Sequence, residues 1–124
     1  MHDRYGRNER VAGLLRRELA VLIQRELKDP EIGFIGVSDV EVTRDLGQAK
    51  VFVTMFDPAH SARTLHALNR SAGWLRGRLG TLLHLRQIPE LHFAHDDSVE
   101  RGARIDRLLE RSRIDDGVDG GGNE

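Results

Sequence analysis

The sequence predicts an α+β domain in which helices cover one face of a small sheet of three strands. Apolar residues recur at helical spacing in 8–28 and again in 61–86. Two segments rich in β-branched residues, joined by turn residues, lie between those helical patterns. A third short β-pattern and a last helix follow Pro89. The predicted order is therefore helix, strand, strand, helix, helix, strand and helix, which is typical of one α+β domain.

The first helix is predicted from Asn8 to about Lys28. Asn8 is a residue type that caps helices, and leucines at helical spacing follow it with arginines on the other side. Asp29-Pro30 ends the helix, because a residue before proline disfavours the α region.

The two segments that follow predict an antiparallel hairpin. The first strand is expected over 34–43, and its alternation changes phase near Ser38-Asp39, which predicts a β-bulge. Turn residues occupy 45–48, and the second strand is expected over 49–56.

The second half of the domain returns to helical spacing. Ser61 is the expected cap, and leucines keep one helical phase over 65–82. A short strand is expected over 91–95. Asp97 with Glu100 forms a capping box that opens the last helix.

Length and composition predict a single domain. We expect it over 8–113, between a flexible N-terminus at 1–7 and a disordered, acidic and glycine-rich tail at 114–124. The absence of cysteine excludes disulfides and thiolate metal sites. No apolar run approaches the ~18 residues that a membrane span needs. The N-terminus is polar, so cytoplasmic localisation without membrane contact is expected.

Enzymatic and metal chemistry lack candidate residues. His92 and His95 would point to opposite faces of a strand. The adjacent carboxylates of Asp96 and Asp97 diverge rather than flank a substrate. We therefore expect no catalytic residue, no metal and no cofactor, which leaves binding as the function.

The charge distribution indicates what is bound. The net charge is only −1, yet residues 61–89 contain five arginines and no acidic residue. A local field of one sign attracts polyanions even when the whole chain is nearly neutral. The alternative is a solvated helix face, although such faces usually mix both signs.

One face of the predicted helices combines the features of an RNA-binding surface. With Leu68 at the centre of the buried stripe, the opposite side carries Arg63, His66, Arg70, Trp74 and Gly77. Arginine binds phosphate bidentately, tryptophan stacks on bases, and glycine exposes the main chain. The alternative for Trp74 is a core position beside a helix kink.

Three stretches resemble the ribosome-binding factor A family. They are RVAGLLRRELAVLIQRELKDP, VEVTRDLGQAKVFVT and RSAGWLRGRLGTLLHLRQIPELHFAHDDSVERGARIDRLLE. The resemblance implies a type II KH-like domain of order αββααβ. It also implies a bacterial, non-enzymatic assembly factor that binds the small ribosomal subunit and its rRNA and assists late maturation of that rRNA.

In that family a kink of the form Ala-x-Gly replaces the usual KH glycine loop. The matching residues here are Ser71, Ala72 and Gly73, with serine where alanine is usual. Gly73 is expected to make the bend, Gly77 to admit phosphate, and Gly80 to pack the helix on the sheet. The expected RNA-binding residues are Arg63, Arg70, Ser71, Gly73, Trp74, Arg76, Gly77, Arg78 and Arg86.

The sequence leaves one alternative function open. The second strand carries Phe52 and Phe56 on one parity, so an open sheet face could dock a protein partner. RNA binding by a monomer is the leading interpretation.

Overall fold

The structure, a computed structural model, describes residues 6–97. Its elements are α1 (Arg7–Arg25), β1 (Ile35–Val42), β2 (Gln48–Met55), α2 (Ser61–Arg70), α3 (Ala72–Leu82) and β3 (Glu90–His95), with a short 3-10 turn at Pro58–His60. The predicted last helix and acidic tail, and most of the predicted flexible N-terminus, lie outside the described residues.

The sheet has the strand order β1-β2-β3. β1 and β2 form the predicted antiparallel hairpin, whereas β2 and β3 run parallel. Parallel neighbours need a crossover connection, which α2 and α3 provide. The α+β fold class is confirmed.

The predicted bulge is present in β1. Val37 pairs with Val53, but Asp39 pairs with Phe52, so Ser38 is the extra residue. The Ser38 hydroxyl donates to the Phe52 carbonyl oxygen at 3.2 Å. One extra residue reverses the parity of the strand, so that apolar residues on both sides of the bulge face the helices.

The core lies between that face of the sheet and the three helices. In β2, Ala49, Val51 and Val53 are fully buried. The helices contribute fully buried leucines against them: Leu15, Leu19, Leu68, Leu75 and Leu79. On the opposite face, β2 exposes Gln48, Lys50 and Thr54, whereas Phe52 is only 9% exposed.

Three predicted helix ends are corrected. α1 begins at Arg7, and Asn8 is no cap, because its side-chain amide donates to the Val42 carbonyl oxygen at 3.1 Å. α1 ends at Arg25 rather than near Lys28, since the N–H groups of the next two residues both bind the Leu22 carbonyl oxygen. Ser61 is the first residue of α2, not its cap.

The fully buried Leu68 anchors α2 to the core. We expect Leu68→Ala to lower the free energy of unfolding by about 2–5 kcal/mol, since it leaves a cavity. Leu82→Ala is the matched control, because Leu82 is 43% exposed at the end of α3. Urea unfolding measures both, and equal losses would contradict this description of the core.

Candidate nucleic-acid interface

A one-residue break divides the connection between β2 and β3 into two helices. Ser71 has φ −89° and ψ 0°, and it separates α2 from α3. Its N–H binds the carbonyl oxygens of Ala67 and Leu68 at 3.1 and 3.0 Å, and its carbonyl oxygen accepts from Leu75 N–H at 3.0 Å. The break is therefore a bend closed by hydrogen bonds rather than a loop.

The bend falls at Ser71, the first residue of the predicted kink at 71–73, rather than at Gly73 itself. Gly73 lies in the first turn of α3 and has no positive φ. A Cβ built there would meet nothing within 4 Å. Neither the bend nor local packing requires glycine at this position.

The three glycines of α3 form one bare strip on the surface of the domain. Gly73, Gly77 and Gly80 are all exposed, at positions i, i+4 and i+7. Such positions lie within about 60° of one another around a helix. A Cβ would meet nothing within 4 Å at Gly77 and only Ile88 Cγ1, at 3.9 Å, for Gly80. The expected packing role of Gly80 is therefore wrong, and the strip exposes helix backbone.

The strip has polar and aromatic borders. At 100° per residue, Arg76 lies on one side of it, and Trp74 and Arg78 lie on the other. The side chain of Trp74 is 47% exposed, so its alternative role as a core residue is wrong. An indole and two guanidinium groups thus border exposed backbone.

Three of the arginines form ion pairs with acidic residues that are distant in the sequence. Arg63 Nε lies 3.4 Å from Glu31 Oε1, and Arg70 Nη2 lies 3.0 Å from Asp29 Oδ2. Arg78 binds both oxygens of Glu26, through Nε at 2.9 Å and Nη2 at 3.3 Å. The acidic residues all belong to segment 26–31, so three of the five arginines in the run without acids are neutralised in the folded domain.

The other two arginines differ from these. Arg76 Nε donates to the Ile88 carbonyl oxygen at 3.0 Å, which ties α3 to the segment before β3. Arg86 lies beyond the end of α3, and within residues 6–97 its side chain makes no hydrogen bond or ion pair. The structure thus groups the predicted residues 63–78 on α2 and α3 and leaves Arg86 apart from them.

Sequence reasoning missed a residue that positions this surface. The Asn69 side chain accepts from Phe93 N–H at 2.8 Å and donates to the Phe93 carbonyl oxygen at 3.3 Å. It therefore pairs with the outer side of the edge strand β3, just before the bend at Ser71. The signal available in the sequence for this role was that a polar residue, Asn69, directly follows Leu68.

The predicted sheet-face pair of phenylalanines does not form. Phe52 is only 9% exposed, and Lys50 Nζ lies 5.3 Å from its ring centroid. Phe56 is 75% exposed but follows the end of β2, where it lines a cleft of about 390 Å³ with Phe34, which is 84% exposed. The exposed aromatic patch is at the end of the sheet rather than on its face.

Metal-binding clusters and membrane-spanning helices are both absent from residues 6–97. No group of three or more His, Cys, Asp or Glu side chains is arranged to hold a metal ion there. Within the same residues, every helix is too short or too polar to cross a membrane.

The ion pair between Glu26 and Arg78 shifts the pKa of both side chains. The hydrogen bond from Arg78 lowers the pKa of Glu26, and the same bond raises the pKa of Arg78. Because the pKa of Glu26 is lowered in the folded state, the pair stabilises the fold above the ordinary value of 4.5, and this contribution disappears as the pH falls through the lowered pKa.

We expect Arg78→Ala to raise the pKa of Glu26 towards 4.5, because the bond that lowers it is lost. Carboxyl NMR signals followed during an acid titration give this pKa. Arg86→Ala is the control and leaves the titration of Glu26 as in the parent. An unchanged pKa in Arg78→Ala would show that the pair does not form in solution.

Comparisons with known proteins agree with the geometry. The family model of ribosome-binding factor A matches residues 7–109. Ribosome-binding factor A of Pseudomonas aeruginosa (strain LESB58) is 44% identical over 123 residues, covering 97% of this chain and 95% of that protein. The corresponding protein of Azotobacter vinelandii is 45% identical over 124 residues, covering 97% of this chain and 96% of that protein.

Solved structures give the same family. The crystal structure of ribosome-binding factor A from Thermus thermophilus has a TM-score of 0.63 and 28% identity, covering 71% of this chain and 94% of that chain. A homology model of the Thermus thermophilus factor, fitted into a cryo-EM map of its complex with the 30S subunit, has a TM-score of 0.58 and 31% identity, covering 67% and 88%. These neighbours are KH-like, which confirms the predicted fold class. With a family match over 7–109 and relatives matched over nearly their whole length, this chain belongs to the ribosome-binding factor A family.

Proposed function

We propose that this chain binds the small ribosomal subunit through its rRNA and assists late maturation of that rRNA without catalysing a reaction. The observation that carries the proposal is the exposed glycine strip of α3, bordered by Trp74, Arg76 and Arg78. Family membership and the fitted complex of a relative with the 30S subunit support the same partner. Under this proposal the chain acts as a monomer in the cytoplasm.

The glycine strip is the part of the surface best suited to a nucleic-acid backbone. Each glycine in a helix interior costs roughly 1 kcal/mol relative to alanine. Packing among the described residues does not require any of the three, since each leaves room for a Cβ. A phosphate-sugar backbone can approach a bare helix more closely than one covered by side chains. The cost in stability is therefore explained if the strip is a contact surface.

The residues around the strip have complementary roles. The guanidinium groups of Arg70, Arg76 and Arg78 bind phosphate oxygens. The exposed indole of Trp74 stacks on an unpaired base. Binding of this kind favours the rRNA conformation that fits the surface, and a shift in conformational population requires no chemical step by the protein.

The exposed Phe34 and Phe56 favour a second candidate, in which the end of the sheet docks a protein partner. The salt dependence of binding distinguishes the two candidate functions. Contacts with phosphate release counterions, so RNA binding weakens steeply as salt rises, whereas an apolar contact responds little.

Gly77→Glu tests the strip at its centre. The substitution places bulk and negative charge where backbone and phosphate meet, so we expect affinity for small-subunit particles to fall at least about tenfold. Glutamate has the better helix propensity, and a Cβ at Gly77 meets nothing within 4 Å, so the melting temperature should hold or rise. Co-sedimentation and thermal unfolding measure the two quantities.

Gly13→Glu is the matched control. Gly13 is also a helical glycine whose Cβ would meet nothing within 4 Å, but it lies in α1 beside Asp39 and Val40 of β1. The control should bind as the parent does. If Gly77→Glu also binds as the parent does, the α3 surface is a solvated face and the sheet-end candidate gains.

A further inference from the structure

Segment 26–31, the first part of the connection from α1 to β1, lies against the arginines of α2 and α3. Its acidic residues meet the arginines in reverse chain order: Glu31 with Arg63, Asp29 with Arg70, and Glu26 with Arg78. The Thr64 hydroxyl also donates to the Glu31 carbonyl oxygen at 3.2 Å, which fixes the end of the segment on α2. Three carboxylates are thus held beside three guanidinium groups.

These ion pairs are better placed to control the access of phosphate to the arginines than to stabilise the fold. In each pair both side chains retain exposure, from 61% for Arg63 down to 19% for Asp29. Exposed ion pairs add little to stability. Guanidinium binds carboxylate and phosphate with the same donor geometry. A carboxylate on one of these arginines therefore occupies a position that phosphate would take.

We propose that Glu26, Asp29 and Glu31 are intramolecular competitors of rRNA phosphates for Arg78, Arg70 and Arg63. This inference rests on the proposed RNA-binding function and adds the residues that limit its affinity. An isolated phosphate gains little by replacing a carboxylate that is already in place. A ligand that offers phosphates at all three arginines and also fits the glycine strip gains at each of them. Each carboxylate nevertheless lowers the affinity of any RNA that contacts its arginine.

The competition also affects the salt dependence of binding. An arginine that exchanges a carboxylate for a phosphate releases as many counterions from the RNA as a free arginine does. The freed carboxylate then recruits cations, so the net release of ions is smaller. Removing the carboxylate makes the arginine a free cation before binding. Each neutralised acid should therefore steepen the slope of log affinity against log salt by up to about 0.7 to 0.9.

The test neutralises the acids without changing their shape. Asp29→Asn keeps the Oδ1 atom that accepts from Glu31 N–H at 2.9 Å, and Glu26→Gln keeps the length of its side chain. Glu41→Gln is the control with the same change in net charge, since Glu41 is exposed in β1 opposite Lys50, on the sheet face away from the helices. The probes are purified small-subunit particles and an oligouridylate of unrelated sequence.

We expect Glu26→Gln and Asp29→Asn each to bind both probes about twofold to fivefold more tightly. The gain should be at least as large for small-subunit particles, which meet all the arginines together, as for oligouridylate, and the salt slope should steepen for both. Glu41→Gln should bind as the parent does. Unchanged or weaker binding by both acid variants overturns the inference. Glu26→Gln decides the test if Asp29→Asn unfolds, because the described contacts of the Glu26 side chain are with Arg78 alone.

A double-mutant cycle separates this inference from the function on which it rests. Arg70→Ala should weaken binding to small subunits, and adding Asp29→Asn to it should restore nothing. A gain from Asp29→Asn that persists without Arg70 would reflect net charge and would overturn the inference. If Arg70→Ala and Arg78→Ala both bind small subunits as the parent does, the proposed RNA-binding surface itself is wrong.

Discussion

Because β2 and β3 run parallel, the chain between them must return along the sheet before β3 can begin, and α2 and α3 make that connection. Their leucines must pack on the sheet, which leaves the opposite side of both helices in solvent. A single bent residue, Ser71, lets both helices keep that arrangement. Asn69 then holds the pair against the outer edge of β3. The candidate RNA surface is thus the outer side of a crossover that the sheet requires.

Local patterns in the sequence were sufficient for most of the fold. The parity change between Val37 and Val40 predicted the bulge, because one extra residue is the simplest way to keep both on the core face. Helical spacing predicted a buried stripe over 65–82, and Leu68 and Leu79 are fully buried, whereas Leu82 at the end of α3 is 43% exposed. Exact helix ends were missed where a tertiary contact decides them, as with Asn8 and its bond to Val42.

The candidate site was less accessible to sequence reasoning. The acidic partners of Arg70 and Arg78 lie 41 and 52 residues away in the sequence. Charge counted over short segments therefore could not show that acidic residues lie beside these arginines. The glycine strip was different. Its spacing was present in the sequence, but giving Gly73, Gly77 and Gly80 three separate roles concealed that they share one exposed face.

At the surface formed by the glycine strip and the ion pairs, folding stability and RNA binding place opposite demands on the residues. Alanine in place of the three glycines would favour α3 yet cover the backbone that the RNA contacts. The carboxylates beside Arg63, Arg70 and Arg78 contribute little to folding but keep those cations occupied. Both features are disadvantages for an inert helix face and are explained by an RNA surface of limited affinity.

The most direct measurement replaces Gly73, Gly77 and Gly80 together by alanine and determines stability and small-subunit affinity on the same protein. We expect the free energy of unfolding to rise by about 2–3 kcal/mol, since all three positions have room for a methyl group. We also expect the affinity for small subunits to fall about tenfold. A protein that is more stable and binds small subunits as tightly as the parent would show that the glycine strip is not an RNA-binding surface.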